Sequence, residues 1–394
     1  MGMRRSRRRR GEHMNRPVLR MEIVDALARR FAESAAAHDR EARFPFENFA
    51  ALAEAGLLAL VAPSRHGGAG AGLAEAAAVV GRIARAEPST ALVLSMQYLQ
   101  HALWTGWPDA TVARLTREAA TGVSLINMLR VEPDLGTPSR GGLPATIARR
   151  TDTGWVLSGH KIYTTGAPVL SWFAVFARTD EEPARVGTFL APRGAAGLRI
   201  EETWDSLGMR ASGSHDVHFD DVALGQDAAV DLRRPEDVGP NPVLQAWNAA
   251  LLGALYTGVA QAAADWLARF LQERVPSNLG ASLATLTRFQ EIAGGIEERL
   301  AVNGRLIRSL AADVDGGRPP SPEEGALLKA ALTDNAIAAV EAAVAAAGNP
   351  ALARKNPLER HLRDVLAARI HTPQADLSRA TAGRAAIARR ASGE

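Results

Sequence analysis

The alternation of polar and apolar positions changes rhythm twice along the chain. From residue 20 to about 120, apolar residues such as Ile23, Ala26, Leu27 and Phe31, then Phe46, Phe49, Leu52 and Leu57, recur mostly at three- and four-residue spacing. That spacing places them on one face of successive helices. The Pro88-Ser89-Thr90 run after Glu87 predicts a helix start, with Ala91 to Trp104 as its largely buried continuation. Pro63-Ser64-Arg65-His66-Gly67-Gly68-Ala69-Gly70 is a turn-forming stretch. It lacks the Lys-Ser/Thr ending of a phosphate loop and a preceding strand, so it predicts a structural connector.

From about 121 to 230 the rhythm shortens to β-branched and aromatic runs separated by Gly, Asp and Pro. Trp155-Val156-Leu157, Trp172 to Phe176, Val186 to Leu190 and Val217-His218-Phe219 predict the strands of a small sheet or barrel. Beyond about 240 helical spacing returns, over Leu251 to Arg274, Leu283 to Asp313, Pro322 to Ala347, Pro357 to Arg369 and Asp376 to Arg389. This order predicts an α+β fold with an N-terminal helical domain over 19–120, a middle β-barrel-like domain over 121–235 and a C-terminal four-helix bundle over 236–394. The Ala-rich face Ala338, Ala339, Ala342, Ala343 and Ala346 suits either a tight bundle or an oligomer interface.

Composition narrows the chemistry. The 394 residues contain no cysteine, which excludes disulfides, thiolate metal sites and thiol nucleophiles. The 46 basic and 43 acidic residues leave a net charge of +3, and Lys161, Lys329 and Lys355 are the only lysines. Six arginines between Arg4 and Arg10 crowd the start, and a like-charge run of this kind predicts a disordered basic tail over 1–18. No aromatics interleave them, so no nucleic-acid partner is expected. The tail is followed by no apolar signal segment, and no stretch offers about 20 uninterrupted apolar residues. The expectation is a cytoplasmic protein without a membrane partner.

An ordered series of segments in the middle block resembles the acyl-CoA dehydrogenase superfamily. These are Glu132 to Thr137, Gly154-Trp155 leading into Ser158 to Ala167, Leu207 to Ser214, and Val217 to Val222, followed much later by Asn356 to Asp364. The resemblance implies a flavin, FAD or FMN, held between the middle and C-terminal domains of a homotetramer. It places Thr165 near the flavin N5, Tyr163 and Thr164 beside the ring, the Met128-Leu129-Arg130-Val131 backbone along it, and Thr137 near the phosphates. Arg274 resembles the family's arginine that reaches the flavin pyrophosphate of a neighbouring subunit. Here the Phe of that element is absent and Gly280 falls two residues late.

The resemblance also implies a base, a Glu that removes the α-proton of an acyl-CoA thioester. In most of the family it lies in a turn eight or nine residues past an Arg-Asp pair. Counted from Arg363-Asp364, that turn reads His371-Thr372-Pro373-Gln374, with Thr372 at the Glu position. A second family location, on the first C-terminal helix, corresponds to Asn248 and Ala249. Neither location holds a carboxylate, which makes His371 and Thr372 the candidate catalytic residues. A His-x-Pro turn resembles the monooxygenase branch of the superfamily, whose members take reduced flavin from a separate flavin reductase. Gln97, Tyr98 and His101 on one helix, with Asn248, are candidates for lining a pocket for a small-molecule substrate, acyl-CoA among the classes. Core packing is the alternative for His101, a helix-junction histidine for His371, and an acyl-CoA dehydrogenase with an unconventional base or a non-catalytic flavin-binding protein for the whole chain.

Overall fold

The computed structural model describes residues 19–134 and 142–392, so the basic tail expected over 1–18 and Thr137 lie outside the described residues. The N-terminal block is α1 (Met21–Glu41), α2 (Phe46–Glu54), α3 (Leu73–Ala84), α4 (Pro88–Ala102) and α5 (Asp109–Thr121). The middle block is one mixed sheet of β1 (Leu125–Leu129), β2 (Ile147–Thr151), β3 (Gly154–Thr164), β4 (Leu170–Thr179), β5 (Val186–Pro192), β6 (Leu198–Glu201) and β7 (His215–Gly225). The C-terminal block is α6 (Pro242–Glu273), α7 (Thr287–Asp315), α8 (Pro322–Ala347), the short α9 (Asn349–Leu352), α10 (Leu358–Leu366) and α11 (Ala375–Ser392). An α+β architecture of helices, curled sheet and helices results.

The buried helices begin with one shared device. Glu87, Asn241 and Ser321 each accept a backbone N–H three residues on, at 2.6, 3.1 and 3.2 Å, and each is followed by a proline. The cap satisfies a free donor, and the proline sits where its missing N–H has no intrahelical partner to lose.

α6 is the centre of the fold. It is buried on nearly every side from Ala246 to Ala263, packed among α3, α4, α7, α8 and α10. Its glycines set the spacing, because a Cβ on Gly258 would stand 2.5 Å from the Gly81 carbonyl oxygen of α3. By length and mean hydropathy alone α6 and α8 could each cross a bilayer, although polar residues such as Asn248 and Asn335 interrupt both. Their apolar windows are 78% and 50% buried within the protein, as core helices require.

The sheet runs β1-β4-β2-β3-β7-β6, with β5 added to the other side of β4. β2 and β6 carry too few apolar residues in sequence to stand out, and β1, although its LINML run is apolar, is not among the strands expected from the sequence. Beneath the sheet, Lys161 of β3 is fully buried and donates to Glu132 Oε1 at 2.6 Å and to the Phe176 carbonyl at 2.7 Å. Glu132 also accepts from the Ala145 and Thr146 N–H groups and from the Thr146 hydroxyl. The pair therefore fastens both ends of the 132–146 connection to β3.

A second junction joins all three blocks. Arg363 of α10 makes a two-pronged ion pair with Asp39 of α1, at 2.9 and 2.6 Å, and donates to the Leu207 carbonyl at 3.0 Å. Arg210 donates to the Asp39 carbonyl at 2.8 Å, and Asp364 accepts the Met209 N–H at 2.7 Å. The backbones meet so closely that a Cβ on Gly208 would stand 2.1 Å from the Arg363 carbonyl oxygen.

Two consequences are measurable. Lys161→Met strands the Glu132 carboxylate in the interior and should cost about 3–5 kcal/mol in denaturant unfolding, while Lys161→Met with Glu132→Gln recovers much of the loss. Full stability of the single variant would refute this assignment. Burial, reinforced by Asp39, pushes the Asp364 carboxyl up to about 7 against its ordinary 3.8. The native protein then binds this proton more tightly than the unfolded chain between about pH 4 and 7, so stability falls as pH rises through that window. Asp364→Asn keeps an acceptor for Met209 and should gain several degrees in unfolding midpoint at pH 8 relative to its effect at pH 4; an equal effect at both pH values would contradict the burial argument.

Candidate active site

The ends of β1 and β3 and the 204–214 loop converge on one edge of the sheet. Asn127 donates from Nδ2 to the Thr165 carbonyl at 3.0 Å, Ile162 N–H donates to the Val131 carbonyl at 3.0 Å, and Gly166 N–H donates to the Ser212 carbonyl at 2.9 Å. The hydroxyls of Thr165, Ser214 and Ser212 form a chain with separations of 3.1 and 2.8 Å. A Cβ on Gly166, whose φ is +79°, would meet Val93 of α4 at 2.7 Å, which is how the turn after β3 lies flat on that helix.

Tyr163 stands out at this edge. Its φ is +57°, a left-handed backbone costly for a residue with a Cβ, yet its side chain is 62% exposed. The ring meets Trp204 edge-to-face at 6.4 Å between centroids, and Trp204 Nε1 donates to the Met209 carbonyl at 3.0 Å. Met209 also has a positive φ, of +52°. Backbone strain around an uncovered aromatic ring makes this edge a candidate ligand-binding place. Thr164 points the other way, buried within the sheet with its hydroxyl unpartnered among the described residues.

The segment expected to run beside the cofactor has some of its polar groups engaged already. Met128 N–H donates to Asn127 Oδ1 at 2.7 Å, and the Val131 carbonyl accepts from Ile162. The Arg130 side chain is exposed, with its guanidinium 5.1 Å from the Phe176 ring centroid. The contacts to Met128 and Val131 therefore narrow what the backbone there can offer.

Across from the sheet, the turn between α10 and α11 is held from two helices. Asn248 of α6 donates from Nδ2 to the Thr372 carbonyl at 3.0 Å. Tyr256, two turns along the same face of α6, places its hydroxyl 2.7 Å from His371 Nε2. From α8, Lys329 Nζ donates to the carbonyls of Ala368, His371 and Pro373 at 3.2, 2.8 and 3.3 Å. Burial lowers the Lys329 ammonium to about 8, which still leaves it charged at neutral pH. The same burial, with Lys329 nearby, lowers the His371 imidazole to about 3, so the ring is neutral there.

Asn248, His371 and Thr372 are thus brought together, with Tyr256 and Lys329 added to them. Sequence reasoning missed both additions. Each sits in a largely apolar helix with nothing local to single it out, although Lys329 is one of only three lysines in a chain that otherwise uses arginine. Gln97, Tyr98 and His101 are fully buried on α4 and make no hydrogen bond to this turn. Gln97 binds the Leu58 and Ser124 carbonyls and the Ile126 N–H, and the Tyr98 hydroxyl donates to the Leu57 carbonyl. Their polar atoms join α4 to its neighbours in place of facing a substrate. His101 packs against Trp104 at 4.5 Å with both ring nitrogens unpartnered among the described residues, and burial lowers it to about 3.

Arg274 lies elsewhere, at the C-terminal end of α6. It borders a groove of 560 Å³ with Arg269, Lys355 and the stacked Trp266–Phe270 pair.

Comparison with known proteins identifies the family and the fold. The sequence profiles "Acyl-CoA dehydrogenase, N-terminal domain", "middle domain" and "C-terminal domain" match residues 17–106, 128–222 and 250–374 in that order. A putative acyl-CoA dehydrogenase, YdbM of Bacillus subtilis, is 33% identical over 90% of this chain and 93% of its own. The amino sugar nitrososynthase RubN8 of Streptomyces rubradiris is 30% identical over 90% of this chain and 85% of its own. The solved structure of KijD3 in complex with FMN and dTDP-3-amino-2,3,6-trideoxy-4-keto-3-methyl-D-glucose superposes with a TM-score of 0.80 at 28% identity, covering 96% of this chain and 95% of that one. Profiles, relatives and fold converge: this chain belongs to the acyl-CoA dehydrogenase superfamily of flavin-dependent oxidoreductases.

Proposed function

We propose that the protein is a flavin-dependent monooxygenase that takes reduced flavin from a separate reductase in the cytoplasm and oxidises a small substrate, with an amino nitrogen as the favoured target. The carrying observation is the turn after α10. Where the family resemblance puts a carboxylate base, the chain has His371-Thr372, and on α6 it has Asn248 and Ala249. Thr and Asn do not accept protons near neutrality, and burial with Lys329 nearby lowers the His371 ring to about 3, which makes it a poor proton acceptor at pH 7. Asp364, the carboxyl of α10 nearest in sequence, is buried and engaged by Met209 N–H.

The residues present fit a flavin. The uncovered Tyr163 ring, with Trp204 edge-on beside it, offers an aromatic face, Thr165 offers a hydroxyl at the same sheet edge, and the neutral His371 would stand on the helical side of the ring. A bound flavin supplies the electron transfer that these side chains cannot. Tyr163 and Trp204 would then orient the ring, Thr165 would donate to its edge, and the α6–α8 packing would exclude water. The cationic groove at Arg274 suits the phosphates and adenine of FAD arriving from a neighbouring subunit of a tetramer; FMN would leave it free. The amino-nitrogen target draws on the nitrososynthase relative and on the amino sugar named with KijD3.

Dehydrogenation of an acyl-CoA thioester is the second reading, favoured by the identity to YdbM. The two separate in a pair of experiments, the thioester panel without oxygen and the amino sugar assay with it. Protein loaded with FAD or FMN should keep its flavin oxidised through a panel of acyl-CoA thioesters, and with a reductase, oxygen and an amino sugar it should yield an oxygen-bearing product. Rapid bleaching by any thioester would transfer the assignment to the dehydrogenase, and failure to bind either flavin would sink both.

A further inference from the structure

His371 carries two ring nitrogens, and which of them bears the proton decides what the residue can do. Tyr256 is fully exposed to no solvent, with a relative accessibility of 0%, in the most apolar part of α6 among Leu252, Leu255 and Val259. Its hydroxyl proton needs an acceptor, because an unpaired buried donor is costly. His371 Nε2, at 2.7 Å, is the one acceptor it meets among the described residues. Burial, with the Asp364 carboxylate behind it, raises the phenol well above its ordinary 10, so the hydroxyl stays protonated.

The ring is also fixed in place. Lys329 holds the carbonyl of His371 itself and Asn248 holds the next one, so the backbone bearing the imidazole is tied to both α8 and α6. The charged groups facing this assembly are the Lys329 ammonium from α8 and, beyond Tyr256, Asp364 from α10. The ammonium opposes a second proton on the ring. Nδ1 has no hydrogen-bond partner among the described residues, and the residue is half-buried rather than enclosed.

We propose that Tyr256 is a positioning residue that donates its hydroxyl proton to Nε2 and thereby holds His371 as the Nδ1–H tautomer, presenting a neutral hydrogen-bond donor on the ligand side of the turn. A ring fixed this way cannot act as a base through Nε2, whose lone pair is occupied, and offers a lone-pair acceptor on flavin or substrate a donor that does not change with pH. The inference rests on the reading that the 371–374 turn faces the flavin, but its test needs no flavin.

Protein labelled with ¹⁵N-histidine, with His371→Asn to assign the signal, should show His371 protonated at Nδ1 and bare at Nε2 from about pH 6 to about pH 9. In Tyr256→Phe the Nε2–H form should become the major one, since it is the favoured tautomer of a free histidine side chain, while Asn248→Ala should leave the wild-type pattern in place. An Nε2–H signal in the wild type overturns the proposal, whether or not Tyr256→Phe folds, and so does an unchanged pattern in a folded Tyr256→Phe. A protein that bound no flavin yet gave the expected tautomers would remove the monooxygenase assignment and leave this inference standing.

Discussion

One ammonium group organises the helical side of the site. Lys329 Nζ, buried in the α8 interface, gathers three backbone carbonyls from the 368–373 segment. These carbonyls lie where α10 has ended and α11 has not begun, so they lack helical partners and would otherwise be orphaned in the interior. Arginine could not replace it, since a planar fork cannot converge on three acceptors arranged around a point. With the backbone pinned, the direction of the His371 ring becomes a matter of one further bond, and α6 supplies it through Tyr256.

The sheet side follows the same logic with the other buried lysine. Lys161 places its charge against Glu132 and a strand carbonyl, and Glu132 in turn satisfies the backbone donors at residues 145 and 146. Desolvating the pair is expensive, and its return is geometric: the end of β1 and the start of β2 are held to β3 at fixed points. That fixes the edge from which Tyr163 and Thr165 project. Asp39, Arg363, Arg210 and Asp364 then hold the sheet's 205–210 loop against α10. The two walls of the site are therefore set relative to one another by charged groups buried at block junctions.

Much of this was legible in the chain, and the gaps have physical causes. The long, nearly uninterrupted apolar content of α4, α6 and α8, and the aromatic runs of β3, β4, β5 and β7, showed in the sequence because burial demands apolar residues at those positions. β2 was hidden, since its IARRT sequence is half exposed and reads as polar. The candidate site was singled out in sequence where family motifs mark it, around Thr165 and His371. It was not legible for Gln97 and Tyr98, because their polar atoms are used by carbonyls and an N–H of the Leu57–Leu58 and Ser124–Ile126 segments, a pairing between distant stretches that no local pattern reveals. Lys329 and Tyr256 left a fainter trace. In a chain where arginine has displaced nearly every lysine, two of the three lysines that persist are fully buried, and persistence against that bias is itself a sign of a geometric requirement.

The way the turn is held also bears on how one scaffold can host different chemistries. Lys329 and Asn248 both grip carbonyl oxygens, which every residue carries, so the path of the 368–373 backbone does not depend on the side chains at 371 and 372. A carboxylate there and a histidine there would meet the same anchors. What a change of side chain does require is a new partner for its polar atoms on the buried side, and here that partner is the Tyr256 hydroxyl on α6. Exchange of the side chain at 371 is thus coupled to its contact with Tyr256, while the backbone path is held by carbonyl contacts that any residue can make. A backbone held independently of the side chains at its tip is compatible with the presence of both an acyl-CoA dehydrogenase and a nitrososynthase among the relatives of this chain.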